Sequence, residues 1–372
     1  MRYLMQELRV SAALVLLVLA YAATAWGLLS PLGRANDLFA PSYGSLTLLT
    51  WGVAGGLIFV AYALHLLLAR RPARPLMVMM ADIRAHLLPL DQLLMRLTPL
   101  VVLTLLLNSF TALKAAIPAF KPFAYDALFA HIDRQIFGTD PWRLTHAVFG
   151  SPLASWVLQF AYNYWFFLMW MGVIYAALKT DYRAWRAQYL LAFCLTWMLI
   201  GSAAAVLLSS AGPCYFGHVV SGPNPFAPLM ERLHALDAAI REQGIGLGIT
   251  SLQVQDMLWR GYQSGSASTG AGISAMPSLH VATSVLMARA GFALNRKAGL
   301  LLSLFAGLIW IGSVHLGWHY AIDGLVSLPL ALLIWAFAGR IVRWLNVTEP
   351  SARQVRTLAS AGRRGLAARQ SP

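Results

Sequence analysis

The chain has 372 residues, of which 59% are hydrophobic and 11% charged, and its mean hydropathy is +0.63. That balance excludes a soluble globular domain and describes an integral membrane protein. A net charge of +14 would suit a nucleic-acid partner, but the placement of the charges along the chain argues for none.

Eight segments approach the ~20 apolar residues that carry a helix across a bilayer: 11–30, 45–68, 97–117, 153–178, 188–209, 279–295, 299–317 and 321–342. The expected fold is therefore all-α, a polytopic membrane bundle of about eight transmembrane helices. The first segment follows "MRYLMQELR" in the manner of a signal peptide, but its apolar run is long for one and reads as a retained helix. Arg70, Arg71, Arg74, Arg84, Arg96, Lys179, Arg183, Arg186, Arg296 and Lys297 fall on one side of the spans, with the arginine-rich tail. Asp126, Asp133, Asp140, Glu231, Asp237, Glu242 and Asp256 fall on the other. The positive-inside rule places the basic side in the cytoplasm, across an inner cell membrane. The tail faces anionic lipid head groups there.

Two loops on the opposite side are long. The first, 118–152, contains "KPFAYDALFAHIDRQIFGTDPW" and reads as short interfacial helices. In the second, 210–275, Asn224 and Pro225 open a helix in which Phe226, Leu229, Met230, Leu233, Leu236 and Ile240 recur at helical spacing. That amphipathic helix lies on the membrane surface or packs on the bundle; both readings stay open. A Gly/Ser segment, "GYQSGSASTGAG", follows and would let the loop move. Cys194, inside a span, and Cys214, in the loop, are too far apart along the chain for an expected disulfide. The aromatic run "YNYWFFLMW" reads as a lipid-facing belt and packing.

Ionisable groups at membrane depth are costly and mark function. "GISAMPSLHVATSV" places Ser278 and His280 where the sixth span starts, and "GSVHLGWHYAIDGLVS" spaces His315, His319 and Asp323 at four-residue intervals near the start of the eighth. Both clusters fall at the same end of the bundle and can meet. A four-residue step puts His319 and Asp323 on one helix face, where the carboxylate fixes the ring and leaves its other nitrogen bare as a nucleophile or base. His280, from another helix, suits an acid that protonates a leaving group. The helix start after Pro277 offers free N–H groups and the Ser278 hydroxyl to a phosphate.

"PSLH" followed by "HYAID" resembles the second and third signature motifs of the type 2 phosphatidic acid phosphatase superfamily. "SAMPSLHVA" with "HLGWHYAID" is most similar to the branch that includes the fungal inositol phosphorylceramide synthases. The resemblance implies a six-helix core over 97–342, preceded by a two-helix segment with a cytoplasmic loop, 1–96, and followed by a disordered basic tail, 343–372. It implies that His319 is phosphorylated, that Asp323 orients it, that His280 protonates the departing group, and that no metal or other cofactor takes part. The substrate would be a phospholipid or polyprenyl phosphate at the extracytoplasmic face, with an alcohol as a possible acceptor. Two features depart from the pattern. Ser313 stands where the third motif has arginine, with His315 nearby as a candidate ligand contact. The first motif, a lysine, six intervening residues and then Arg-Pro, is absent from "SSAGPCYFGHVVSG", where His218 is the only candidate cation. "KAAIPAFKP" reproduces its spacing earlier, with Lys121 for arginine, and makes Lys114 and Lys121 candidate phosphate contacts.

Two other functions compete. His315, His319 and Asp323 on one helix would suit part of a metal site in a membrane metalloenzyme. A non-catalytic lipid transporter would carry inverted repeats or broken helices, and the sequence displays neither.

Overall fold

The computed structural model describes residues 2–40, 43–86, 88–179, 183–265 and 272–348. The expected disorder of the tail beyond 348, and half of the Gly/Ser segment, lie outside the described residues. Among those described there is no strand. The long helices are α1 (Arg2–Leu29), α2 (Tyr43–His65), α3 (Pro75–His86), α4 (Leu90–Phe120), α5 (Asp126–Phe137), α6 (Pro141–Phe149), α7 (Pro152–Leu178), α8 (Arg183–Leu207), α9 (Ala227–Glu242), α10 (Thr250–Ser264), α11 (Leu279–Leu294), α12 (Arg296–His315) and α13 (Ala321–Trp344).

Helix starts follow from local chemistry. Ser151 accepts the N–H of Ala154 ahead of Pro152 to begin α7, and Asn295 accepts that of Ala298 to begin α12. Each satisfies one of the amides that a helix start leaves unpaired. Among the described residues seven helices are long and apolar enough to cross a membrane, so this is a multi-pass membrane protein. The sixth expected span, α11, has 16 residues and falls short of them. The chain ahead of it explains the difference: Ile273, Ala275, Met276, Pro277 and Ser278 are already buried before the helix begins. Irregular backbone is tolerated at such depth because protein, rather than lipid, surrounds it.

α7, α8, α11, α12 and α13 pack as one bundle, with α8 the most enclosed of the long spans. α4 joins it, α1 packs on α4, and α2 is almost wholly exposed at the periphery. At the end of the bundle away from the histidines, Arg186 donates to Glu7 (2.8 Å) and Arg183 to Asp91 (3.0 Å), tying α8 to α1 and α4. Buried charges are tolerated when paired in this way. The opposite end is capped by α5, α6, α9 and α10. Leu229, Leu233 and Ile240 are fully buried, and α9 packs on α7; of the two readings of this helix, packing on the bundle is the one adopted. α10 had no counterpart in the sequence reading. Cys194 and Cys214 are both free thiols.

Candidate active site

α12 ends at His315, and Gly317, at φ +75°, turns the chain through a conformation that side chains disfavour. The amides of Trp318 and His319 both donate to the carbonyl of Ser313, closing the turn. Tyr320 then caps α13, whose third residue is Asp323. One carboxylate oxygen of Asp323 accepts the backbone N–H of Tyr320 at 3.1 Å and Nδ1 of His319 at 3.0 Å. The expected His319–Asp323 contact is made, but across a helix start instead of along a helix face, because Gly317 ends the first helix before His319. The result is more rigid: the same oxygen fixes the backbone and the ring. With Nδ1–H donated to the carboxylate, Nε2 is left bare.

His280 is the second residue of α11. Its ring lies 4.6 Å from that of Tyr162 and 4.2 Å from that of Trp165, centroid to centroid, and meets the ring of His319 edge-on at 5.9 Å. Trp165 is itself held by a hydrogen bond from its indole N–H to Thr283 (2.9 Å). Both histidines line a cavity of about 380 Å³ whose walls are mainly aromatic and aliphatic. The run "YNYWFFLMW" is therefore divided: Tyr162, Trp165 and Phe166 line the cavity, while Tyr164 and Phe167 are exposed. α10 roofs it. Trp318 donates to Ser251 (3.0 Å), and Gln255 donates to the carbonyl of Leu316 (2.9 Å).

The remaining candidates separate. Lys114 lines the cavity and is the one Lys or Arg to do so among the described residues. Lys121 does not line it; its ammonium donates to Tyr125 (2.9 Å) and to the carbonyl of Leu207 (2.7 Å), joining the ends of α4 and α8. Ser278 is fully buried and its hydroxyl accepts the N–H of Val281, so it caps α11 rather than facing the cavity that Pro277 and Leu279 line. His315 also points elsewhere. Its ring stacks on His146 at 3.8 Å and bonds Ser155 at 3.0 Å, and the carbonyl of His315 accepts from His146 Nε2 (2.9 Å). Arg232 donates to the other nitrogen of His146 (3.0 Å), so this cluster ties α6, α7, α9 and α12 together. Burial pushes His146 below the usual imidazole range, in keeping with its acceptor role. Ser313 donates to the carbonyl of Trp310, and His218 stacks on Trp259; neither brings a cation to the cavity.

With His315 turned away, the trio imagined as a metal site does not converge, and no group of three or more metal-ligating side chains occurs among the described residues. Two acids of α5 were missed. Asp133 accepts the first two amides of α13, from Ala321 (2.7 Å) and Ile322 (2.8 Å), and Asp126 accepts from Ala211, Gly212 and the hydroxyl of Tyr320. Burial raises both carboxyls, Asp133 to about 7. No local motif marks either one.

A family model described as the PAP2 superfamily matches residues 127–337, from within α5 to within α13. No curated protein and no solved structure matches the chain.

Proposed function

The chain belongs to the PAP2 superfamily of phosphatase-type enzymes, and from that premise we propose that it transfers or hydrolyses the phosphoryl group of a membrane lipid through a phosphohistidine on His319. One observation carries the reading: His319, bonded through Nδ1 to Asp323, presents its other nitrogen to the same cavity as His280, ring to ring at 5.9 Å. Nε2 of His319 attacks phosphorus, and the P–O bond to the leaving group breaks as His280 delivers a proton to the departing oxygen. Water or an alcohol then attacks the phosphohistidine, returning its proton to His280 and the electron pair to His319. Asp323 holds the ring in the attacking tautomer. Lys114 offsets the charge that grows on the phosphoryl oxygens.

An alcohol acceptor, and with it the inositolphosphotransferase-like branch, is favoured by the apolar lining and by the α10 roof, which keep water from the intermediate. The basic loops support an inner-membrane location with the site at the extracytoplasmic face, so the donor is a lipid of that leaflet. The lining by Lys114 supports a catalytic core that begins at α4, ahead of the matched region. Purified protein incubated with labelled lipid phosphates and phosphodiesters, with and without alcohol acceptors, tests the proposal. Products should require His319, and label should accumulate on protein in the His280→Ala variant; near-normal turnover by His319→Ala would refute it. Activity that a chelator abolishes and zinc restores would favour the metalloenzyme instead.

A further inference from the structure

Asp126 and Asp133 are 1% and 2% exposed, and among the described residues neither pairs with a Lys or Arg. A buried carboxylate without a counter-ion is expensive unless hydrogen bonds fill its oxygens. The partners that fill those of Asp126 come from two separate parts of the chain. The amides of Ala211 (2.9 Å) and Gly212 (2.8 Å) donate to it from the turn after α8, and the hydroxyl of Tyr320 (2.9 Å) donates to it from the turn ahead of α13.

Each turn leads to one histidine. Ser210, next to Ala211, holds the extended run that enters α11: its carbonyl accepts from Ala275 (2.9 Å) and its hydroxyl oxygen from Met276 (3.2 Å), four residues before His280. Tyr320 directly follows His319. A second link joins the same two turns, from the amide of Cys214 to the carbonyl of Gly317 (2.9 Å). Asp133, two helical turns along α5, secures the first amides of α13 from the same helix.

We infer that Asp126 is a positioning residue that fixes the separation of His280 and His319, although it lies outside the cavity and touches neither ring. The inference rests on the acid and nucleophile roles proposed above. A misplacement of about 1 Å in such a pair lowers turnover about 100-fold.

Asp126→Asn turns an amide N–H toward the N–H of Ala211, which faces both carboxylate oxygens. It should lower kcat about 100-fold with KM changed less than about threefold. Tyr320→Phe cuts only the link on the His319 side and should lower kcat about 10-fold in a protein that still folds. Unchanged kcat per folded molecule in Tyr320→Phe would overturn the inference, even if Asp126→Asn fails to fold. A readout that does not depend on activity comes from His280→Cys with His319→Cys in a Cys194→Ala, Cys214→Ser background. Dibromobimane, which fluoresces only when it bridges two thiols, should react several-fold more slowly once Tyr320→Phe or Asp126→Asn is added. An unchanged rate would overturn the inference. Slower bridging in a protein whose parent forms no phosphohistidine would uphold the positioning and sink the proposed function alone.

Discussion

Methionine at position 114 would keep the length and apolar stem of the lysine while removing the one Lys or Arg side chain that, among the described residues, lines the cavity. Two unit charges 4 Å apart interact by about 4 kcal/mol at an effective dielectric of about 20. Lys114 is half-buried, so solvent screens part of this. Half the figure, about 2 kcal/mol, still corresponds to about 30-fold in kcat/KM, and the full figure to about 1000-fold. Lys114→Met should fall within that range in initial-rate assays on a labelled lipid phosphate in mixed micelles, and inhibition by vanadate, a phosphoryl mimic, should weaken in parallel. Lys121→Met is the matched control. Its ammonium is engaged with Tyr125 and Leu207, so kcat/KM should stay within about threefold even if the protein melts at a lower temperature. Equal losses in the two variants, or a Lys114→Met enzyme within threefold of wild type, would refute the placement of the phosphoryl group beside Lys114.

Asp323→Asn should lower kcat about 100-fold to 10,000-fold, because the ring of His319 loses the partner that selects its tautomer; a loss under tenfold would mean that Asp323 only packs. Burial raises Asp133 to about 7 from an ordinary 3.8, so the folded protein keeps a proton that the unfolded chain releases. The stability this proton confers is complete below about pH 4 and disappears as the pH rises through 7. Thermal melts from pH 5 to 8 should therefore slope less steeply for Asp133→Asn than for wild type, and parallel profiles would contradict the assignment. A cysteine at Glu242 should react with an impermeant thiol reagent added outside intact spheroplasts, and one at Lys297 should not. The reverse pattern would invert the proposed topology and change the donor.

The parts of the site legible in sequence are those whose meaning is local. His280 beside Ser278, and His319 four residues before Asp323, announce themselves because a helix start and a carboxylate-held ring each need only a few adjacent residues. The same four-residue rhythm misled at His315, since α12 ends there and the turn at Gly317 puts His319 outside that helix, leaving the His315 ring against His146. Lys114 and Lys121 were indistinguishable by spacing. They part because α4 stops at Phe120 and Lys121 is already extended, at φ −150° and ψ 117°. Asp126 and Tyr320 are 194 positions apart, and two lone acids in a mixed loop carry no periodicity that could foretell the bond. α10 escaped for another reason. Its sequence, "TSLQVQDMLWRGYQS", has no side-chain cap at its start and buries the polar Ser251 and Gln255 beside Leu252, so the helix is placed by side-chain bonds to Trp318 and Leu316.

The shortness of α11 has a consequence for the lipid. Sixteen residues rise about 24 Å, against a hydrocarbon layer about 30 Å thick. If Asn295, with Arg296 and Lys297 beyond it, marks one boundary of that layer, His280 is about 22 Å from it and sits roughly 8 Å below the other. On the proposed reading, a lipid phosphate ester riding at the junction of head group and tails would have to sink beneath its neighbours to reach the two rings. Bilayer thickness would then be a determinant of rate: a thin membrane would bring that junction down to the histidines, whereas a thick one would make each substrate molecule leave the plane of its leaflet before any bond could change.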